Sequence, residues 1–313
     1  MKDIRIVFMG TPLFSVPILE ALIEQCTVIG AVTQPDKKVG RDQKITFSPV
    51  KEVALKHNIP VLQPTNIRQE YQPILDLQPD IIITCAYGQI IPKELLEAPR
   101  FKCINVHASL LPKLRGGAPI HRAIIEGYYK TGVTIMFMNE KMDRGDIIRQ
   151  REIDILDEDN AGTLHNKLSI LGRDLLLDTL PDIISGNINP VKQNEREATY
   201  AWNLTSDIEV INWDDEKRQV FNRIRGLSPW PGAYSRLSGK IIKIWASRIG
   251  TNSYTGKING EIVALYEDGI GVKVFDGEII ITELQPEGKP RMKAKDYLNG
   301  IQDKNSLIGR VFY

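Results

Sequence analysis

The stretch Cys103-Ile104-Asn105-Val106-His107-Ala108-Ser109-Leu110-Leu111-Pro112-Lys113-Leu114-Arg115-Gly116-Gly117-Ala118-Pro119-Ile120-His121 decides how the rest of the chain is read. Apolar and β-branched residues at 103–106 give way to a Pro- and Gly-rich segment at 109–119, which predicts a buried strand running into a loop. Asn105 and His107 lie two apart at the end of that strand. Side chains repeat every second residue along a strand, so an amide and an imidazole point to one side. In an open α/β sheet ligands bind where strands end. A carboxamide with two donors beside an imidazole can hold and protonate a carbonyl that is becoming tetrahedral.

An Asn-x-His at a strand end also serves as a hydrogen-bonded structural pair, and a third group separates the two readings. Lys141-Met142-Asp143-Arg144-Gly145-Asp146 follows another apolar run, 133–138, and places Asp143 in a Gly-containing loop after a strand. A carboxylate there could reach the imidazole and fix its tautomer and charge.

The bulk of the chain sets limits on function. Its 313 residues, 42% hydrophobic and 25% charged, suffice for two domains with their own cores. The opening apolar run, 4–9, is short, and no stretch approaches the ~18 apolar residues of a membrane span, so a cytoplasmic protein is expected. Cys26, Cys85 and Cys103 are widely spaced and lie in or beside apolar runs, which predicts reduced core thiols. With four His and no Cys-x-x-Cys, no metal is expected. The net charge of +1 divides at residue 207 into +2 after the boundary and −1 before it, so any RNA contact must come from local patches.

Read in order, residues 4–9 form a first buried strand that turns through Gly10-Thr11-Pro12 into a helix at 16–25. This opening suggests a nucleotide-binding topology, but the three-glycine fingerprint is missing, which argues against a dinucleotide site. A strand at 27–33 leads into a polar loop at 34–51, longer than most connections, which carries Lys37, Lys38, Arg41, Lys44 and Lys51. Loops of this length are functional or solvated. Helices are expected at about 49–56, 67–77, 119–126 and 161–180, and strands at 61–62, 80–86, 133–138 and 146–153. His57, His121 and His165 receive no role. After Trp213 short strands recur at 241–245, 260–265, 271–274 and 278–284, the pattern of a small antiparallel barrel. Lys240, Lys243, Arg248, Lys257, Lys289, Arg291, Lys293 and Lys295 offer it a basic surface or an ordinary solvated one.

Taken together, Asn105, His107, the run Ser109-Leu110-Leu111-Pro112, Arg115-Gly116-Gly117-Ala118-Pro119-Ile120 and Asp143 within Met142-Asp143-Arg144-Gly145-Asp146 resemble the folate-dependent formyltransferase family. Met9-Gly10-Thr11-Pro12 with Phe14, Gln34-Pro35-Asp36 with Gly40-Arg41, Ser48-Pro49-Val50-Lys51, Ala86-Tyr87-Gly88, Arg225-Gly226-Leu227 and Pro229-Trp230-Pro231-Gly232-Ala233 extend the likeness over nearly the whole length. They are similar to the branch whose acceptor is methionine on initiator tRNA.

The resemblance implies an α/β fold: a Rossmann-like, mostly parallel sheet with helices on both faces, followed by a small all-β OB-type barrel. It implies a catalytic domain at 1–188, a linker at 189–206 and a tRNA-binding domain at 207–313. Formyl transfer would go from 10-formyltetrahydrofolate to the methionyl α-amino group of initiator Met-tRNA, with Asn105, His107 and Asp143 catalytic. The folate would lie beside Tyr87, Gly88, Ser109, Leu110, Leu111 and Pro112. The 34–51 loop would enter the tRNA acceptor stem through Arg41, with Lys37, Lys38 and Lys44 nearby, since the planar Arg fork suits phosphates and base edges. Trp202-Asn203-Leu204 departs from the Lys-containing stretch of typical members, so no linker contact to tRNA is inferred. Two rivals keep part of this reading: a formyltransferase acting on a small amine, and a non-catalytic tRNA-binding protein. The 34–51 loop and the second domain count against the first, and the Asn-His-Asp grouping against the second.

Overall fold

The continuous apolar runs become the central strands of an α/β sheet in the computed structural model, which describes residues 1–39 and 44–313. The chain divides into two units. The first comprises Met1–Pro119, Lys130–Asp154 and His165–Trp202, and the second Ile120–Tyr129, Ile155–Leu164 and Asn203–Tyr313.

In chain order, β1 (Arg5–Gly10), α1 (Val16–Gln25), β2 (Thr27–Val32), β3 (Lys37–Val39), β4 (Lys44–Thr46), α2 (Pro49–Lys56), β5 (Val61–Leu62), α3 (Gln72–Asp76), β6 (Ile81–Cys85), α4 (Lys93–Glu97) and β7 (Cys103–His107) lead to α5 (Pro119–Ile125). There follow β8 (Lys130–Phe137), β9 (Ile147–Asp154) and α6 (Ala161–Ser185). The main sheet has the order β5-β2-β1-β6-β7-β8-β9. Pairing is parallel from β5 to β7 and antiparallel from β7 to β9. Strand order reverses between β1 and β6, and in open α/β sheets ligands bind at the carboxyl ends of the strands beside such a reversal. Alternation along β1 and β6 sends Val7, Met9 and Ile82 to a cluster with Ile67, Ile74, Leu95 and Leu96, while Ile6, Phe8, Ile81 and Ile83 are buried on the opposite face. Such two-sided burial is why these strands read as unbroken apolar runs. On that second face Gly172 lets α6 approach, since a Cβ there would sit 3.0 Å from Val106 Cγ1.

Several boundaries differ from expectation for identifiable reasons. The helix expected at 67–77 is reduced to α3, because Pro73 favours a helix start at 72 and disfavours helix before it. The 34–51 loop contains a hairpin in which Lys37 pairs with Thr46 and Val39 with Lys44, and α2 begins at its end, capped by the Ser48 side chain on Lys51 N. Helix α6 runs past Pro181 to Ser185, where Ile183 is still buried.

In the second unit α7 (Lys217–Gly226) precedes β10 (Ala233–Leu237), β11 (Lys240–Ile249), β12 (Ile262–Leu265), β13 (Ile270–Val274), β14 (Gly277–Pro286), β15 (Met292–Lys293) and α8 (Ala294–Asn299). The antiparallel sheet has the order β10-β11-β14-β13-β12, with β15 on β14. The chain's last residues join its two edges: Phe312 bridges Leu237 on β10, and Val311 bridges Glu261 beside β12. Its core includes Trp213, Val220, Ile224, Ile244, Val272, Ile281 and Phe312. The segments 120–129 and 155–164 join this unit through polar contacts: His121 Nδ1 lies 2.8 Å from Gly226 O, and Arg225 Nη1 donates to Leu156 O and Asp159 O.

Candidate active site

Asn105 and His107 occupy the carboxyl end of β7, next to the reversal of strand order. Parallel pairing sets Thr84 opposite Asn105, and Thr84 Oγ1 donates to Asn105 Oδ1 at 2.8 Å. With the amide oxygen held by a hydroxyl, Nδ2 is free to donate elsewhere, and among the described residues no hydrogen bond takes it. Antiparallel pairing sets Thr134 of β8 opposite His107. The buried His107 ring places Nε2 3.1 Å from Leu114 O and Nδ1 3.6 Å from Asp143 Oδ1. The second distance is an electrostatic contact longer than a hydrogen bond. Each ring nitrogen thus has an oxygen near it, with the roles set by the tautomer.

Asp143 arrives from the loop between β8 and β9. Its φ is +52°, a left-handed conformation that non-Gly residues seldom adopt. Gly116 N donates to Asp143 Oδ2 at 2.8 Å, which ties the loop after β7 to the loop after β8. Two residues on, Gly145 is buried so tightly that a Cβ would lie 1.6 Å from Phe137 O, so the glycine foreseen in this loop answers a close approach. The structure thus brings Asn105, His107 and Asp143, 38 residues apart at the extremes in sequence, to one end of the sheet.

The residues expected around a folate divide in two. Ser109 is fully buried and turned inward, donating to Lys113 O at 2.7 Å, and Leu111 is 3% exposed. Leu110 and Pro112 retain surface. The Tyr87 ring is in the core with Ile67 and Leu95, and burial pushes its hydroxyl pKa up. Its backbone oxygen accepts from Thr11 Oγ1 and Gln34 Nε2 at 3.2 and 3.0 Å. Gly88 is exposed with φ +95°. Of the basic loop residues, Lys37 is exposed, Lys38 and Lys44 sit on β3 and β4, and Arg41 lies outside the described residues. Lys51 is spent internally: its Nζ donates to Asp36 Oδ2 at 2.6 Å and Gln63 Oε1 at 2.9 Å, bonds that hold the Asp36 carboxyl below its usual range.

Sequence reading missed the supports of the 109–118 loop. Thr134 Oγ1 donates to Ser109 O and accepts from Leu111 N, and Gln150 Nε2 donates to Leu111 O. Residues 191–201, expected to belong to a linker, form hydrogen bonds with the first unit: Val191 pairs with Ile147, Arg115 N donates to Thr199 O, and Ala201 N donates to Arg115 O. Arg115 itself is fully buried, and its guanidinium meets both carboxylate oxygens of Glu195 at 2.9 and 3.0 Å. In the second unit, cations expected to form a basic surface are largely paired: Arg248 with Asp268, Lys257 with Glu261, Arg291 with Glu283 and Lys295 with Glu267. The Arg248 and Lys295 pairs are exposed on both sides; such pairs contribute only ~0–1 kcal/mol, so these two cations can be redirected to phosphates at little cost.

To the geometry of this strand-end amide, imidazole and loop carboxylate, comparison with known proteins adds the class of the chain. A family profile described as formyl transferase matches residues 4–180, and one for the formyl transferase C-terminal domain matches 203–302; the chain belongs to the formyl transferase family. Within it, the chain is 52% identical over 300 residues to the methionyl-tRNA formyltransferase of Bacillus subtilis (strain 168), covering 95% of this chain and 94% of the relative. It is also 52% identical over 311 residues to the enzyme of that name from Bacillus velezensis, covering 98% and 97%. Among solved structures it is similar to an N-formyltransferase from Helicobacter canadensis in complex with folinic acid and dTDP-3-aminofucose. The TM-score is 0.67 at 23% identity, covering 90% of this chain and 99% of the other, a likeness of fold.

Proposed function

We propose that the chain transfers the formyl group of 10-formyltetrahydrofolate to the α-amino group of methionine on initiator Met-tRNA, giving N-formylmethionyl-tRNA. The observation that carries this reading is identity of 52% to methionyl-tRNA formyltransferases over nearly the full length of both chains. The convergence of Asn105, His107 and Asp143 supports the chemistry.

The folate supplies a formyl carbon already activated by its bond to nitrogen. Asn105 Nδ2, whose partner oxygen is occupied by Thr84, donates to the formyl oxygen as the amine adds and negative charge develops there. His107, set beside Asp143, helps to stabilise the same oxygen and passes a proton to the leaving folate nitrogen. Asp143 holds the ring in place and takes up the proton lost by the amine, directly or through water. One carbon–nitrogen bond forms, another breaks, and no covalent link to the protein is needed.

Leu110, Pro112 and the exposed Ala86 and Gly88 line the folate subsite in this reading, with Tyr87, Ser109 and Leu111 as its buried supports. Flat heterocycles are held this way, between apolar walls and backbone polar groups. Residues 1–188 carry the chemistry, 189–206 connect, and 207–313 together with Lys37, Lys38, Arg41 and Lys44 engage the tRNA. Exposed Ile45 and Phe47 add apolar surface to the same stretch of chain, which suits contact with bases as well as phosphates. Purified protein given the formyl donor with charged initiator tRNA, charged elongator tRNA and glycinamide ribonucleotide should formylate the first. Preference for glycinamide ribonucleotide, or no turnover, would refute the proposal.

A further inference from the structure

We infer that Gln193 is a positioning residue for the reaction, holding the Asp143 loop in register with His107 through Arg115. The inference rests on the function proposed above. Gln193 lies 50 residues from Asp143 in sequence, in the stretch that follows α6. The pairing of Val191 with Ile147 at the start of β9 delivers it to the site. Its Nε2 donates to Asp143 O and to Gly145 O, each at 2.8 Å. Its Oε1 accepts from Arg115 Nε at 3.1 Å and Nη2 at 2.8 Å. Both N–H groups and both lone pairs of the amide are therefore used, which fixes its orientation without ambiguity.

The arrangement closes a ring around Asp143. From Gln193 it passes to the buried Arg115 guanidinium, whose other edge is met by both oxygens of Glu195. The next residue along the chain, Gly116, donates its N–H to Asp143 Oδ2. The backbone of Asp143 is thus held from one side and its carboxylate from the other, and both holds lead to the same buried arginine. A left-handed Asp persists only where its surroundings over-determine it, and Gln193 supplies two of the fixing bonds. Without them the carboxylate would keep its chemistry but lose its placement 3.6 Å from the imidazole.

Gln193→Glu is the discriminating variant. An ionised carboxylate still accepts from Arg115 but has no donor for the carbonyls of residues 143 and 145. We expect kcat for Met-tRNA formylation to fall about 10- to 100-fold, as for other groups that orient a reacting side chain, with KM for folate and tRNA within about 2-fold. In an Asp143→Ala background the same change should cost nothing further, because it acts only through Asp143. Gln193→Met, uncharged and of similar length, gives the same result if Gln193→Glu fails to fold. Unchanged kcat, or equal losses with and without Asp143, would overturn the inference. A native protein that does not formylate Met-tRNA would overturn the functional reading instead.

Discussion

Asn105 and His107 stand on β7, where parallel pairing with β6 and antiparallel pairing with β8 fix the backbone on both sides. Asp143 stands in a loop, at a left-handed φ, and its position comes from Gly116 and Gln193, 27 and 50 residues away. Two ways of building one site are side by side here. A strand places a side chain through many backbone bonds, none of them decisive; a loop does it through a few side-chain bonds, each of them exposed to loss by substitution. The strand-borne groups should therefore depend on themselves and on side chains of the strands paired beside them, and the loop-borne acid on residues far away in sequence.

The largest effect expected is that of His107→Ala. It removes the ring from a strand whose ladder does not involve it, so Asn105 and the fold remain in place. Turnover should drop on the order of 10³-fold, within the range for loss of a positioned acid–base group, while binding of initiator tRNA, measured by filter retention, stays within about 2-fold of native. Near-native turnover would remove the imidazole from the mechanism and, with it, the reason for placing Asp143 where it is.

A smaller loss is expected on the strand side from Thr84→Val. The shapes match, but the donor to Asn105 Oδ1 disappears, and the amide can then present either its oxygen or its nitrogen to the formyl oxygen. A roughly 10-fold fall in kcat is expected, with the thermal midpoint little changed because Thr84 stays packed as valine. Unaltered kcat would mean that β7 alone orients the amide, without help from the strand beside it.

The difference between the two halves of the site also explains what the sequence could disclose. Alternation along 103–107 and the Pro and Gly that follow placed Asn105 and His107 on one side of a strand end, and the long apolar runs at β1 and β6 announced a sheet covered on both faces. The α2 boundaries were legible because Ser48-Pro49 is a strong local start signal. Gly145 could be seen as a turn residue but not as one pressed against Phe137 O. Gln193, Arg115 and Glu195 left no local signature, since their contacts span 78 and 80 residues and follow neither period 2 nor period 3.6. The pairing of 37–39 with 44–46 left no clear signal because three-residue strands rich in lysine do not alternate clearly. The joining of 120–129 and 155–164 to the second unit escaped because it rests on contacts such as Arg225 to Leu156 O.

The smallest effect concerns the outer end of the loop support. The Arg115 hydrogen bonds hold the Glu195 carboxyl below its ordinary value of 4.5. A depressed folded-state value means that the unfolded chain binds the proton more readily. The pair's contribution is therefore fully present above pH 4.5 and is lost as pH falls through the folded value. Glu195→Gln should lower the thermal midpoint slightly at pH 7, and the gap from native should close as pH is reduced below 4.5. Because Glu195 is 58% exposed, high salt should narrow the gap as well. A gap that persisted unchanged in acid would mean that Arg115 is held by Gln193 and the backbone around it, with the charge of Glu195 incidental. The support of Asp143 would then be a neutral, pH-independent clamp, closer in character to the strand that carries His107.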